Sequence, residues 1–188
     1  MLPLHTVEVR WFFLGALPAA VRAWFDGLGD PVEGVSRTDR YLAPASDALG
    51  VKLREGQVEA KRRSAVVGPL AAGRAGATAE EWVKWSFPLA EDADPGAGWL
   101  EVAKTRWQRR LEAAGGACTL ELSTVAVAGW AWWSVCLEAE GPDAPSRRAA
   151  LGVGAHRWLT SEAAPALARE AARGYPAWLR EASDINPT

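Results

Sequence analysis

Charged side chains recur two residues apart in one extended segment after another, and that spacing limits what this chain can fold into. Glu8 and Arg10 open the series, Lys52 and Arg54 follow, and then come Glu59, Lys61 and Arg63. Lys84, Lys104 with Arg106, Glu121, and finally Glu138 with Glu140 complete it. Residues at this spacing stand on one face of a strand. Apolar residues fill the gaps, as Val7, Val9 and Trp11 do around Glu8 and Arg10. An open antiparallel sheet would turn the charged faces to water. A sheet curled into a barrel would gather them in one interior and send the apolar faces outward, under a cover of helices. Such an interior must be wet or hold a charged ligand, because unpaired buried charge is strongly disfavoured. Lys and Arg there imply an anion. Carboxylates beside them imply ion pairs or a hard divalent cation, since Mg²⁺ and Mn²⁺ favour oxygen ligands and bridge carboxylates to phosphates.

Composition bears on the choice at three points. The 11 Trp residues need much burial, on the order of 200 Å² per ring, which suits apolar faces packed under helices. With 21 Lys and Arg against 23 Asp and Glu, the formal net charge is -2, so the chain lacks the bulk basicity of a nucleic-acid duplex binder, and any anion site must be built locally. Cys118 and Cys136 are too few for a disulfide scaffold and wrongly spaced for a zinc ribbon, which points to a reducing cytoplasm. At 188 residues, 49% of them hydrophobic, the chain suits one domain spanning 1–188. Glu8 and Arg10 interrupt the first apolar stretch, arguing against an export signal. The most apolar run, Leu120 to Leu137, falls short of the roughly 20 apolar residues that span a bilayer, so no membrane association is expected.

Along the chain, Thr6 to Phe13 reads as a strand and Leu17 to Phe25 as a helix ended by the Gly27, Gly29 and Pro31 cluster. Gly34 to Leu42 reads as a strand, and VKLREGQVEAKRRSAVV as a hairpin turning at Glu55-Gly56. The Gly- and Ala-rich stretch Gly68 to Thr78 has few apolar anchors and is expected to be a mobile loop. Strands follow over Glu81 to Leu89, before an acidic turn EDADPGAG, and over Glu101 to Leu111. A long pair, Cys118 to Val127 and Trp130 to Glu140, folds at Gly129. That makes about eight strands. The Ala-rich tail predicts helices over Asp143 to Leu151 and Ser161 to Arg173, within an overall span of about 143–182.

Other signals are weak. His5 and His156 have no partners at metal-binding spacing. Gly152-Val153-Gly154 has Arg157 where a dinucleotide loop needs its third Gly. Cys118 and Cys136 read as buried structural thiols, and Trp130, Trp132 and Trp133 as packing rather than base-stacking residues. Arg109, Arg110, Arg147 and Arg148 suit a solvated face or a tunnel rim equally.

In order and kind, these residues resemble the CYTH superfamily of triphosphate tunnel metalloenzymes, which includes thiamine triphosphatases, inorganic triphosphatases and class IV adenylyl cyclases. The opening strand Thr6-Val7-Glu8-Val9-Arg10 is similar to the family's Glu-x-Glu-x-Lys signature. Leu49-Gly50-Val51-Lys52-Leu53-Arg54 looks like its basic hairpin, with Glu59 and Lys61 on the return strand and Lys104 and Arg106 as its Lys-x-Arg strand. Leu120-Glu121-Leu122, Gly129, Leu137-Glu138-Ala139-Glu140 and a terminal helix with Tyr175 follow in the family's order.

The resemblance implies an α+β fold: a closed antiparallel eight-stranded β barrel, a tunnel, with helices packed outside. It implies metal-dependent hydrolysis of inorganic triphosphate, thiamine triphosphate or a nucleoside triphosphate. Arg10, Lys52, Arg54, Lys61, Lys84, Lys104 and Arg106 would bind phosphate. Glu8, Glu59, Glu121, Glu138 and Glu140 would hold Mg²⁺ or Mn²⁺, and Glu138 and Glu140 would be catalytic. Arg10 keeps the charge of the family's Lys, whereas Thr6 stands where the family has its first Glu and cannot replace a carboxylate. The alternative is therefore a non-catalytic module of the same kind, binding a phosphorylated anion or an acidic partner segment. A cyclase would need base recognition that the sequence does not display. A homodimer is left open.

Overall fold

The computed structural model describes residues 2–89 and 97–185. The acidic turn expected after Leu89 lies mostly outside them. Eight strands close into a barrel: β1 (Leu4–Leu14), β2 (Val35–Leu42), β3 (Leu49–Arg54), β4 (Gln57–Ala72), β5 (Ala75–Pro88), β6 (Trp99–Ala113), β7 (Gly116–Val127) and β8 (Trp130–Glu140). Their order around the barrel is β1-β5-β4-β3-β2-β6-β7-β8. Each neighbouring pair is antiparallel. Helices α1 (Ala19–Asp26), α2 (Ala144–Leu159) and α3 (Tyr175–Asp184) lie outside the wall. The expected architecture is thus the observed one.

The two-residue period explains the closure. On β1, the outward residues Val7, Val9 and Trp11 meet outward residues of β7 and β8, including Leu120, Leu122, Val135 and Leu137. Leu151 and Trp158 of α2, with Trp24 and Phe25 of α1, complete this core. Asp143 caps α2, its carboxylate accepting from the Ser146 N–H at 2.8 Å, a contact that satisfies one of the helix's free amides.

Two expectations are corrected. Residues 68–78 are not a mobile loop, because β4 and β5 stay paired out to Ala72 and Ala75 and turn at Gly73-Arg74. The small residues that weakened the sequence signal are what allow it. Ala75, Ala77 and Ala79 are buried, which brings the hairpin's backbone close enough for the Trp11 indole to donate to the Gly76 carbonyl at 2.9 Å. Nor does a helix run over 161–173. After α2 the chain is irregular apart from a 3₁₀ turn at Arg169–Ala171. Pro165 disfavours helix at the residue before it, and Leu167 instead bridges to Ala75 at the edge of β5.

The tail also seals a seam. β1 pairs with β5 only through Glu8↔Glu80. Beyond that point the Arg173 N–H donates to the Arg10 carbonyl at 2.9 Å, and Trp11 bridges to Ala172. The chain then passes Trp82 at Gly174, where a Cβ would lie 2.8 Å from the Trp82 ring, and enters α3. Trp178 of α3 stacks on Phe12 at 4.3 Å, and Tyr175 stacks on Tyr41 at 4.8 Å. With Trp132, Val102, Val125 and Val127, these rings form a second core that closes this end of the barrel.

Candidate functional site

The barrel encloses a cavity of about 440 Å³ to which all eight strands contribute. Alternation is the cause: Glu8 and Arg10 on β1, Lys52 and Arg54 on β3, Glu59 and Lys61 on β4, Lys84 on β5, Lys104 and Arg106 on β6, Glu121 on β7, and Glu138 and Glu140 on β8 all face it. All twelve site residues expected from the sequence therefore share one lumen. Nine cationic side chains line it, the remaining two being Arg37 and Arg110, against five carboxylates. With Asp39 buried directly behind three of these cations, the formal excess is three positive charges inside a chain of formal net charge -2.

Within the lumen the charges form three groups. In the first, the Lys61 ammonium lies between two carboxylates that are opposite in register, donating to Glu8 at 2.6 Å and to Glu138 at 3.3 Å. Lys61 holds the Glu138 carboxyl down at about 2, whereas burial and the neighbouring Glu138 raise that of Glu8. In the second, Arg10 donates to Glu121 at 2.9 Å and Gln108 to the other Glu121 oxygen at 3.0 Å. Burial pushes the Glu121 carboxyl up, and Arg10 and Lys104 outweigh it, leaving the group below its ordinary value.

The third group surrounds Asp39, which is wholly buried. Arg37 Nε lies 3.2 Å from its carboxylate, and the ammonium groups of Lys52 and Lys104 each lie 3.5 Å away. Lys52 also reaches Glu59 at 2.9 Å. Burial drops the Lys104 ammonium to about 7, with Lys52 and Arg37 adding to the effect and Glu121 and Asp39 opposing it. The Tyr175 ring lies 5.6 Å from the same ammonium.

Glu140 stands apart from these groups. It sits at the open rim, 39% exposed, 3.5 Å from Arg110. Among the described residues, no group of three or more His, Cys, Asp or Glu side chains converges as a metal-holding set. Glu59 and Glu121 stand singly against Lys52 and Arg10, on different strands, whereas Glu8 and Glu138 stand side by side on Lys61. The adjacent pair Glu8 and Glu138 is what the barrel offers a metal. Mg²⁺ is commonly bound by one or two carboxylates with other ligands completing its shell, a number this pair matches, and Lys61 stands between the two.

The sequence reading missed Arg37 and Asp39, although with Tyr41 they carry the same two-residue spacing on β2. Arg109 and Arg110 separate as neighbours on a strand must. Arg110 reaches the rim, while Arg109 donates outside the wall to the carbonyls of Phe25, at 3.1 Å, and Asp30, at 3.0 Å, pinning the end of α1. Arg147 is likewise structural, donating to Glu81 at 2.6 Å. Cys118 and Cys136 are free and buried.

The carboxylates set the acid stability of the fold. Asp39, Glu59, Glu121 and Glu138 are all held below their ordinary values of 3.8 for Asp and 4.5 for Glu. Each therefore contributes stability that is present above those values and lost as pH falls through its lowered one. Glu8, being raised, opposes them near its own titration. Urea unfolding midpoints should stay level down to about pH 5 and fall steeply between about pH 4.5 and 2. Level midpoints across that lower window would contradict the assignment.

No protein-family model matches this chain, and no curated protein matches it.

Proposed function

We propose that the barrel takes a triphosphate-bearing molecule into its lumen and, with Mg²⁺ or Mn²⁺, hydrolyses a terminal phosphoanhydride. The observation that carries this reading is the formal excess of three positive charges, Asp39 included, around one cavity of an otherwise acidic chain. Cations fixed in place by the barrel wall stabilise the charge that spreads over phosphoryl oxygens during transfer without having to reorganise as water must. Arg10, Lys52, Arg54, Lys61, Lys84, Lys104 and Arg106 neutralise phosphate oxygens. Arg10 is held for this by Glu121 on one side and by the Phe12 and Tyr175 rings, 5.8 and 5.7 Å away, on the other. Glu8 and Glu138 would hold the metal, which when bound would supply charge neutralisation and a water of lowered pKa. As phosphate arrives, Lys61 transfers its donors from the two carboxylates to the phosphate oxygens. Glu140, at the rim, has the lesser part.

Substrates enter at the end opposite α3, where Arg54, Arg110 and Glu140 stand partly exposed. The large aromatic cluster lies under α3, so the organic part of thiamine triphosphate or a nucleotide remains at the mouth. Among the described residues, no helix is long and apolar enough to cross a membrane. Two free buried thiols suit a cytoplasmic setting.

One observation favours a second reading. Lys61 already answers the Glu8 and Glu138 charges, and Thr6 brings no carboxylate to them, which is what a non-catalytic polyanion-binding barrel would show. Titration calorimetry with tripolyphosphate in EDTA tests the feature common to both readings. One site per chain is expected, weakening markedly between about 50 mM and 0.5 M NaCl as screening shortens the reach of each charge. Absence of binding at low salt in EDTA would overturn the second reading, and absence with Mg²⁺ present as well would overturn both.

A further inference from the structure

Asp39 differs from every other lumen carboxylate. Glu8, Glu59, Glu121, Glu138 and Glu140 line the cavity, whereas Asp39 lies behind its cations and does not. It is 0% exposed, three cationic groups stand within 3.5 Å of it, and neither of its oxygens has hydrogen-bond geometry to any described donor. A buried carboxylate kept for local fit normally has its oxygens hydrogen-bonded. This one acts by charge. Arg37, Lys52 and Lys104 all reach the cavity, so an anion there and Asp39 bind the same three groups from opposite sides.

Resting on the polyphosphate reading above, we propose that Asp39 is the resident counter-anion of the lumen: it holds Arg37, Lys52 and Lys104 together while the barrel is empty and limits how tightly a phosphate chain is held. Without it, three like charges converge on a neutral group, and the empty barrel is strained by their repulsion. A bound polyphosphate supplies the missing negative charge. Linkage then requires that whatever stability the ligand restores appears as tighter binding. Asp39 is accordingly a positioning residue that never touches the ligand.

The test compares wild type with Asp39→Asn at pH 6, below the value of about 7 to which burial drops Lys104, in EDTA with tripolyphosphate as the probe. Thermal unfolding of the variant should fall by several degrees without ligand and recover most of the gap with it. Tripolyphosphate should bind the variant about tenfold more tightly, the equivalent of about 1.4 kcal/mol. A merely structural role would lower stability equally with and without ligand and leave affinity unchanged or weaker, and that result overturns the proposal. Should the variant not fold in buffer, its folding is titrated with tripolyphosphate: restoration at concentrations well below the wild-type dissociation constant supports the proposal, and restoration only above that constant, as mass action on any destabilised fold would give, or no restoration, overturns it. If wild type itself binds no tripolyphosphate, the polyphosphate reading fails and takes this inference with it. If wild type binds and the variant is not tighter, the inference alone fails.

Discussion

Glu138→Gln is expected to lower metal-dependent phosphate release from tripolyphosphate by about 10²–10³-fold. The substitution keeps the shape of the side chain and removes its charge. Glu138 is opposite Glu8 in register, so the two form the adjacent carboxylate pair in the lumen, and Lys61 holds Glu138 ionised. Loss of one preorganised electrostatic group at a reacting centre costs roughly 3–4 kcal/mol of transition-state stabilisation. Binding in EDTA should be retained or tighter, since one negative charge leaves a site for an anion. The fold should survive, because Lys61 keeps Glu8 at 2.6 Å. Glu140→Gln should cost less than about tenfold, as Glu140 faces Arg110 at the rim. Steady-state release with saturating Mg²⁺ separates the two. Unchanged kinetics in Glu138→Gln would remove that residue from the site.

The largest stability effect should come from the closed end. Trp178 is 0% exposed, lies parallel to Phe12 at 4.3 Å, and meets Trp132 and Tyr175 edge-on at 5.8 and 5.0 Å. Replacement by Ala leaves a ring-sized cavity between strands and helix that cannot collapse without moving α3. A loss of about 3–5 kcal/mol follows. Val153→Ala, at an exposed position on α2, should stay within about 0.5 kcal/mol of wild type. Guanidinium unfolding of both variants checks this. A Trp178→Ala loss under about 1 kcal/mol would mean that α3 does not close the barrel.

What the sequence discloses follows from these packing differences. Charges on one strand face and apolar residues on the other survive as a two-residue period, so the spacing puts Glu8, Arg10, Lys52, Lys61, Lys104 and Glu138 on one face of the sheet; that the face closes into a lumen is an expectation from the family resemblance, and the strand pairing shows it. The closed end is less legible. Phe12, Trp132 and Tyr41 share the face that carries charge elsewhere on β1, β8 and β2, and only the position of α3 explains the switch from charge to aromatic. Residues 68–78 mislead for a related reason, since their small side chains, read as a want of anchors, permit close backbone packing on Trp11. Arg37 and Asp39 are legible in principle from their spacing. What spacing cannot convey is that Asp39 sits behind its cations, because that depends on three strands meeting. It likewise places five carboxylates inside without showing that two form the adjacent pair and three answer cations.

The central claim is most directly tested by orthophosphate release from tripolyphosphate, thiamine triphosphate and ATP by the wild-type protein, with Mg²⁺, with Mn²⁺ and with EDTA. The account predicts release that requires the metal, is abolished by EDTA and falls as ionic strength rises. Tight, salt-sensitive binding of all three compounds with no phosphate released under any condition would contradict the hydrolase and leave a polyanion-binding barrel in its place.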